Sequence, residues 1–122
     1  MKIAISSTSE DINSNVSEFF GRCPYFIIAE VSAKSGSASG GKNQKIEKAK
    51  AIKNENTDQS SGAGISTAQL MAEENVNAVI TGNVGPRALD VLKQFNIEIY
   101  SGNGIIKEVL QEFINGKLKK LQ

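Results

Sequence analysis

The feature that most restricts the fold lies in the second half of the chain, where β-rich and helical patterns alternate without a break. Residues 63 to 75 place Ile65, Ala68 and Ala72 at helical spacing with Met71 alongside. NAVITG follows as a short β-rich run. GPRALDVLKQF then sets Pro86 at a first-turn position and Ala88, Val91, Leu92 and Phe95 on one stripe. IEIYSG repeats the strand pattern, and Ile105, Val109, Leu110 and Phe113 mark a last helix ending near Gly116 and a lysine-rich tail. Such a succession demands at least one parallel strand pair joined by a crossover, because parallel neighbours cannot be linked by a tight turn.

The first half reads as an antiparallel meander. KIAISS at 2 to 7 alternates Ile3 and Ile5 with Lys2 and Ala4, and YFIIAEV at 25 to 31 is almost continuously apolar, as a strand covered on both faces should be. QKIEKAKAIKN has a helix-favouring composition, yet Ile46 and Ile52 lie six apart, which suits one face of a strand. A lysine-rich edge strand, which discourages pairing with another molecule, is the preferred reading. Residues 34 to 43, dominated by Gly and Ser, have nothing to bury and are predicted to form a mobile loop. The expectation is one domain over 1–122, a mixed sheet of five strands with helices on both faces, in three layers.

Bulk properties remove several function classes. With 14 basic and 13 acidic residues the formal charge is +1, so no global field draws a polyanion such as nucleic acid. The single cysteine, Cys23, cannot close an internal disulfide, and the start MKIAIS resembles neither a secretory signal nor a membrane span; a cytoplasmic location without membrane contact is expected. Histidine is absent, which takes away the commonest general base and the commonest metal ligand.

Chemistry is concentrated in three glycine-containing segments, FFGRCPYF at 19–26, SGAGIS at 61–66 and TGNVGPRA at 81–88. Two of them open helices, whose exposed N–H groups carry partial positive charge and favour an anion. The only two arginines, Arg22 and Arg87, fall inside these segments, and a guanidinium can hold a carboxylate or phosphate in two parallel bonds. The candidate ligand-binding residues are therefore Phe20, Gly21, Arg22, Gly62, Ala63, Gly64, Gly82, Asn83, Gly85, Pro86 and Arg87. For each there is a plainer alternative: arginines bonded to loop carbonyls, and glycines that let helix and sheet approach closely. SGAGIS is neither a P-loop nor a full dinucleotide fingerprint. Cys23, beside Arg22, is the candidate metal ligand, against the alternative of a buried small apolar side chain. Ser17, Glu18, Ser66 and Thr67 lie near these segments, but nothing adjacent in sequence would activate the hydroxyls, and no catalytic residue is assigned.

Taken together, VSEFFGRCPYF and GAGISTAQLMAEENVNAVITGNVGPRALDVLKQFNIEIYSG resemble the nitrogenase iron-molybdenum cofactor biosynthesis family over nearly the whole chain. The resemblance implies a three-layer ribonuclease H-like fold around a five-stranded mixed sheet. It also implies a non-enzymatic role in binding or carrying an anionic ligand, with an iron-sulfur or iron-molybdenum type cluster as a candidate guest. A cluster-assembly or ATPase protein would be the partner. The family commonly has His just before the FGR segment, where this chain has Phe19, so a cluster ligand is missing. Nuclease activity does not follow from the fold, because activity belongs to a site. Two other readings remain open, a partner-binding regulatory protein with a vestigial pocket and an enzyme acting on a small phosphorylated metabolite through Glu18 or Asp90.

Overall fold

A computed structural model describes residues 1–31, 46–54 and 63–121. The predicted Gly/Ser loop at 34–43 and Gly62 lie outside the described residues. The elements run β1 (Lys2–Ser7), β2 (Tyr25–Val31), β3 (Ile46–Lys53), α1 (Ala63–Glu73), β4 (Ala78–Thr81), α2 (Pro86–Gln94), β5 (Glu98–Ser101), α3 (Ile106–Ile114) and β6 (Lys119–Lys120). They form one mixed sheet in the order β3-β2-β1-β4-β5-β6. β1, β4 and β5 are parallel, while β2 pairs antiparallel with both β1 and β3, and β6 antiparallel with β5.

The sheet has six strands and not the five that the pattern predicted. The extra one is Lys119–Lys120 in the lysine-rich tail, paired with Ser101 and Tyr100. It carries no periodic apolar signal, and what holds it lies beside it: the Leu121 N–H donates to the Ile99 carbonyl at 2.7 Å, and Lys120 Nζ reaches Glu98 Oε2 at 3.2 Å. Tyr100 completes this corner by donating to Glu98 Oε1 at 2.9 Å and packing edge-on against Phe113 at 5.0 Å.

Alternation along the strands divides the core into two layers, since successive side chains point to opposite faces. Ala4, Phe26, Ile28, Val79 and Ile99 face α1 and α2, where Ala68, Met71, Ala88 and Leu92 close the layer. Ile3, Ile5, Ile27, Ala29, Val31, Ala78 and Ile80 face α3, which supplies Ile106, Val109, Leu110 and Ile114. Helices thus cover both faces, as expected. Two stripe positions differ from the prediction. Phe95 is the C-cap of α2 and is 48% exposed, and Ile105 is the N-cap of α3, leaving the core place to Ile106. Helix ends fall where backbone geometry permits: Asn75 and Asn96 take the left-handed conformation just past α1 and α2, which Asn tolerates better than most residues. No helix among the described residues is long and apolar enough to cross a membrane.

The lysine-rich segment is the edge strand β3. A bulge between Glu30 and Val31 pairs Lys48 with Glu30 and Ile46 with Val31, so Glu47 is the extra residue.

Candidate functional site

The parallel strands β1, β4 and β5 end at Ser7, Thr81 and Ser101, and the segments that follow converge at this edge of the sheet, where ligand crevices form in open α/β sheets. The long loop between β1 and β2 crosses these ends and is stitched to them by backbone bonds. The Ser17 N–H donates to Ser6 O (2.8 Å), the Asn83 N–H to Glu18 O (2.7 Å), the Phe20 N–H to Asn83 O (3.2 Å) and the Val16 N–H to Gly104 O (2.8 Å). Beneath them Ser6 Oγ donates to the Ser17 carbonyl at 2.8 Å and shares a hydrogen bond with Thr81 Oγ1 at 2.8 Å. These buried hydroxyls are bonded to one another and to backbone, and no basic side chain among the described residues is hydrogen-bonded to them.

Gly82 explains why the loop can lie so close. A Cβ built there would stand 2.8 Å from Glu18 Cα and 3.0 Å from Glu18 O, both backbone atoms that cannot turn aside. Its role is this close approach; neither Gly82 nor Asn83 lines the adjoining cleft. Gly85 is different. It is the N-cap of α2 with φ −67° and ψ 157°, a conformation open to any residue, and an added Cβ would meet nothing within 4 Å. Packing among the described residues therefore does not require glycine there.

Beside Gly85 opens a cleft of about 320 Å³ that joins parts of all three glycine segments. Phe20 and Gly21 come from the loop, Ile65 from α1, and Gly85, Pro86, Arg87 and Ala88 from the start of α2. A hollow near Lys2, Glu30 and Lys48 is larger, about 380 Å³, but lies along the β3 edge away from these segments. α2 has no side-chain cap, and Pro86 at its first turn has no N–H, so the N–H groups of Arg87 and Ala88 are the donors that this helix start presents. Arg87 is exposed and makes no ion pair among the described residues. Arg22 is exposed on the same loop as Gly21 without lining the cleft. Ala63 and Gly64 form the first turn of α1.

Cys23 lies below the loop, 1% exposed, with Sγ 3.4 Å from the Phe20 carbonyl oxygen. Burial pushes its thiol up to about 12, against smaller opposing effects from backbone N–H groups of Ser7 and Cys23 and from the Asn54 amide. Metal ligation needs the thiolate, the form that burial disfavours here. The cation beside it in sequence does not decide the matter, because Arg22 is at the surface while Cys23 faces the core. Among the described residues no group of three or more Cys, Asp or Glu side chains is placed to hold a metal ion.

One residue that the sequence did not single out organises the loop. Asn54, 1% exposed at the end of β3, donates through Nδ2 to the carbonyls of Cys23 (2.8 Å) and Gly21 (3.2 Å), and its N–H donates to Pro24 O (2.9 Å). A single side chain from a distant strand thus fixes the wall of the cleft. A polar residue closing a lysine-rich strand gives no local signal of that role. Ile65 and Ala88 were likewise read only as helix-stripe residues, and they line the cleft.

The family model for dinitrogenase iron-molybdenum cofactor proteins matches residues 1–116. The chain belongs to this family. An uncharacterized protein of Methanocaldococcus jannaschii is 35% identical over 123 residues, spanning 100% of this chain and 92% of that protein. Among solved structures, a protein from Thermotoga assigned as NifB superposes with a TM-score of 0.73 at 27% identity, covering 98% of this chain and 92% of that one. A protein of M. jannaschii assigned as a dinitrogenase gives a TM-score of 0.67 at 27% identity over 100% and 95%. The apo orange protein of Desulfovibrio gigas has a TM-score of 0.81 at 24% identity over 98% and 91%, a likeness of fold.

Proposed function

We propose that this family member is a non-enzymatic binding protein that holds an anionic ligand in the cleft between the 20–21 loop and the start of α2. The observation that carries the reading is the convergence of the three glycine segments on one cleft that presents Arg87 and the first-turn N–H groups of α2. Gly85 supports it, since neither backbone conformation nor packing among the described residues asks for glycine there, and the bare position leaves room for a guest to approach the backbone.

An iron-sulfur or iron-molybdenum cofactor precursor is the cargo that the family points to. The donor set of one chain fits electrostatic retention better than covalent ligation: there is no histidine, and Cys23 is buried below the loop, where desolvation disfavours its thiolate. Such a cargo would be held as an anion by Arg87, with Arg22 beside Gly21 on the β1–β2 loop, while Cys23 supports that loop from below. A cluster-assembly or ATPase protein would be the partner and the cytoplasm the setting. The three-layer mixed sheet supports reading 1–122 as one ribonuclease H-like domain.

The test is anaerobic reconstitution with iron and sulfide, followed by metal analysis and spectra of desalted wild type, Cys23→Ser and Arg22→Ala/Arg87→Ala. Metal retained by wild type and Cys23→Ser but lost in the double arginine variant supports the reading. Retention that survives removal of both arginines contradicts it.

A further inference from the structure

Among the described residues three asparagines precede glycine or serine, the small neighbours that least obstruct attack by the next backbone nitrogen on the asparagine side chain: Asn13–Ser14, Asn103–Gly104 and Asn115–Gly116. All three are exposed. Backbone bonding separates them. The Ser14 N–H donates to Asp11 O at 2.9 Å and the Gly116 N–H to Phe113 O at 3.0 Å, and Asn115 is held as the C-cap of α3 with its own N–H on Gln111 O at 3.0 Å. The Gly104 N–H and the Asn103 side chain make no hydrogen bond among the described residues. Glycine is required at 104, because φ is +106°, a region that side chains rarely adopt.

The backbone on either side of this pair is anchored. Gly102 is buried so closely that a Cβ would stand 2.8 Å from both Ile80 Cγ2 and Val109 Cγ1, and its N–H donates to Thr81 O at 3.2 Å. On the far side the Ile106 N–H donates to Ser14 O at 2.9 Å. Between these anchors the Gly104 carbonyl accepts from the Val16 N–H at 2.8 Å, a tie that holds the β1–β2 loop to the end of β5.

We infer that Asn103 is a site of spontaneous deamidation, with water as the co-reactant, and that its isoaspartyl product releases the Val16 tie. The Gly104 nitrogen bonds to Asn103 Cγ and passes its proton through solvent to the departing Nδ2, which leaves as ammonia when the Cγ–Nδ2 bond breaks. Water then adds to either carbonyl of the cyclic imide and opens it to aspartate or isoaspartate, with no change of oxidation state. Isoaspartate routes the main chain through Cβ and Cγ and so lengthens it by one atom. With Gly102 and Ile106 fixed, the displacement falls on Gly104 and on the carbonyl that holds Val16.

The experiment is incubation of the full chain in mildly alkaline buffer, native and in concentrated urea, followed by proteolysis and mass spectrometry with aspartyl and isoaspartyl peptides separated. At Asn115 two backbone bonds must open before attack, so in the native chain Asn103 should convert about tenfold faster or more. In urea those bonds are gone, and the two sites should agree within about threefold. Equal native rates at Asn103 and Asn115, or a native difference that persists in urea, would overturn the site. The Val16 amide should exchange with solvent about tenfold faster or more in the isoaspartyl product than in Asn103→Asp, which adds the charge without lengthening the backbone. Equal exchange in the two would overturn the release of the loop.

Discussion

Replacing Gly82 and Gly85 separately by alanine distinguishes a glycine needed for packing from one that is not. At Gly82 the added Cβ would lie 2.8 Å from Glu18 Cα and 3.0 Å from Glu18 O. If the loop holds its place, the overlap costs about 1–3 kcal/mol. If it withdraws, it loses the bonds Gly82 N–H to Ser17 O, Asn83 N–H to Glu18 O and Phe20 N–H to Asn83 O, at roughly 1 kcal/mol each. The cheaper route sets the loss near 2 kcal/mol, and alanine's smaller unfolded-state entropy returns about 0.5 kcal/mol. A net loss of about 1.5 kcal/mol lowers Tm by roughly 5–8 °C in a domain of this size. At Gly85 the Cβ meets nothing and φ is −67°; the weaker N-cap character of alanine and the unfolded-state gain, each about 0.5–1 kcal/mol, nearly cancel. Urea and thermal unfolding of both variants measure this contrast. Equal stability of Gly82→Ala and Gly85→Ala, each within about 0.5 kcal/mol of wild type, would refute the close-approach argument.

Asn54→Ala removes the donors that hold the carbonyls of Gly21 and Cys23 and should cost about 2–3 kcal/mol, read by chemical denaturation, with faster amide exchange in residues 20–24. Cys23 should resist alkylation at pH 8 in the native protein and react on unfolding. Its folded pKa, about 12, exceeds the ordinary value of 9.0, so the stabilisation from keeping the thiol neutral is complete below about pH 9 and is lost as pH rises from about 9 to 12. Unfolding free energies measured at pH 8, 10 and 11 should fall less steeply in Cys23→Ala than in wild type.

Most of the fold was legible because its signals are local and periodic. Ile3 and Ile5 against Ala4 fixed the two faces of β1, and Pro86 marked the start of α2. β6 was not legible, since two exposed lysines acquire a strand conformation only from the open edge of β5. Ile105 and Ile106 both satisfy a helical stripe in sequence, and only the cap geometry decides which enters the core. The lining of the candidate cleft was half legible. Glycine and arginine spacing located Gly21, Gly85, Pro86 and Arg87 at the cleft, but the same signal marked Gly82, whose use is packing. Asn54 could not be found this way, because its partners lie more than 30 residues away and are backbone carbonyls that any sequence provides.

The most direct test of the cleft as a ligand site is residue-resolved mapping of amide shifts during titration with phosphate and molybdate. The account predicts that at least one of them moves the amides of Gly21, Ile65, Gly85, Arg87 and Ala88 together and saturably. Shifts confined to the lysine-rich end around Lys117, Lys119 and Lys120, or no saturable shift with either, would contradict it.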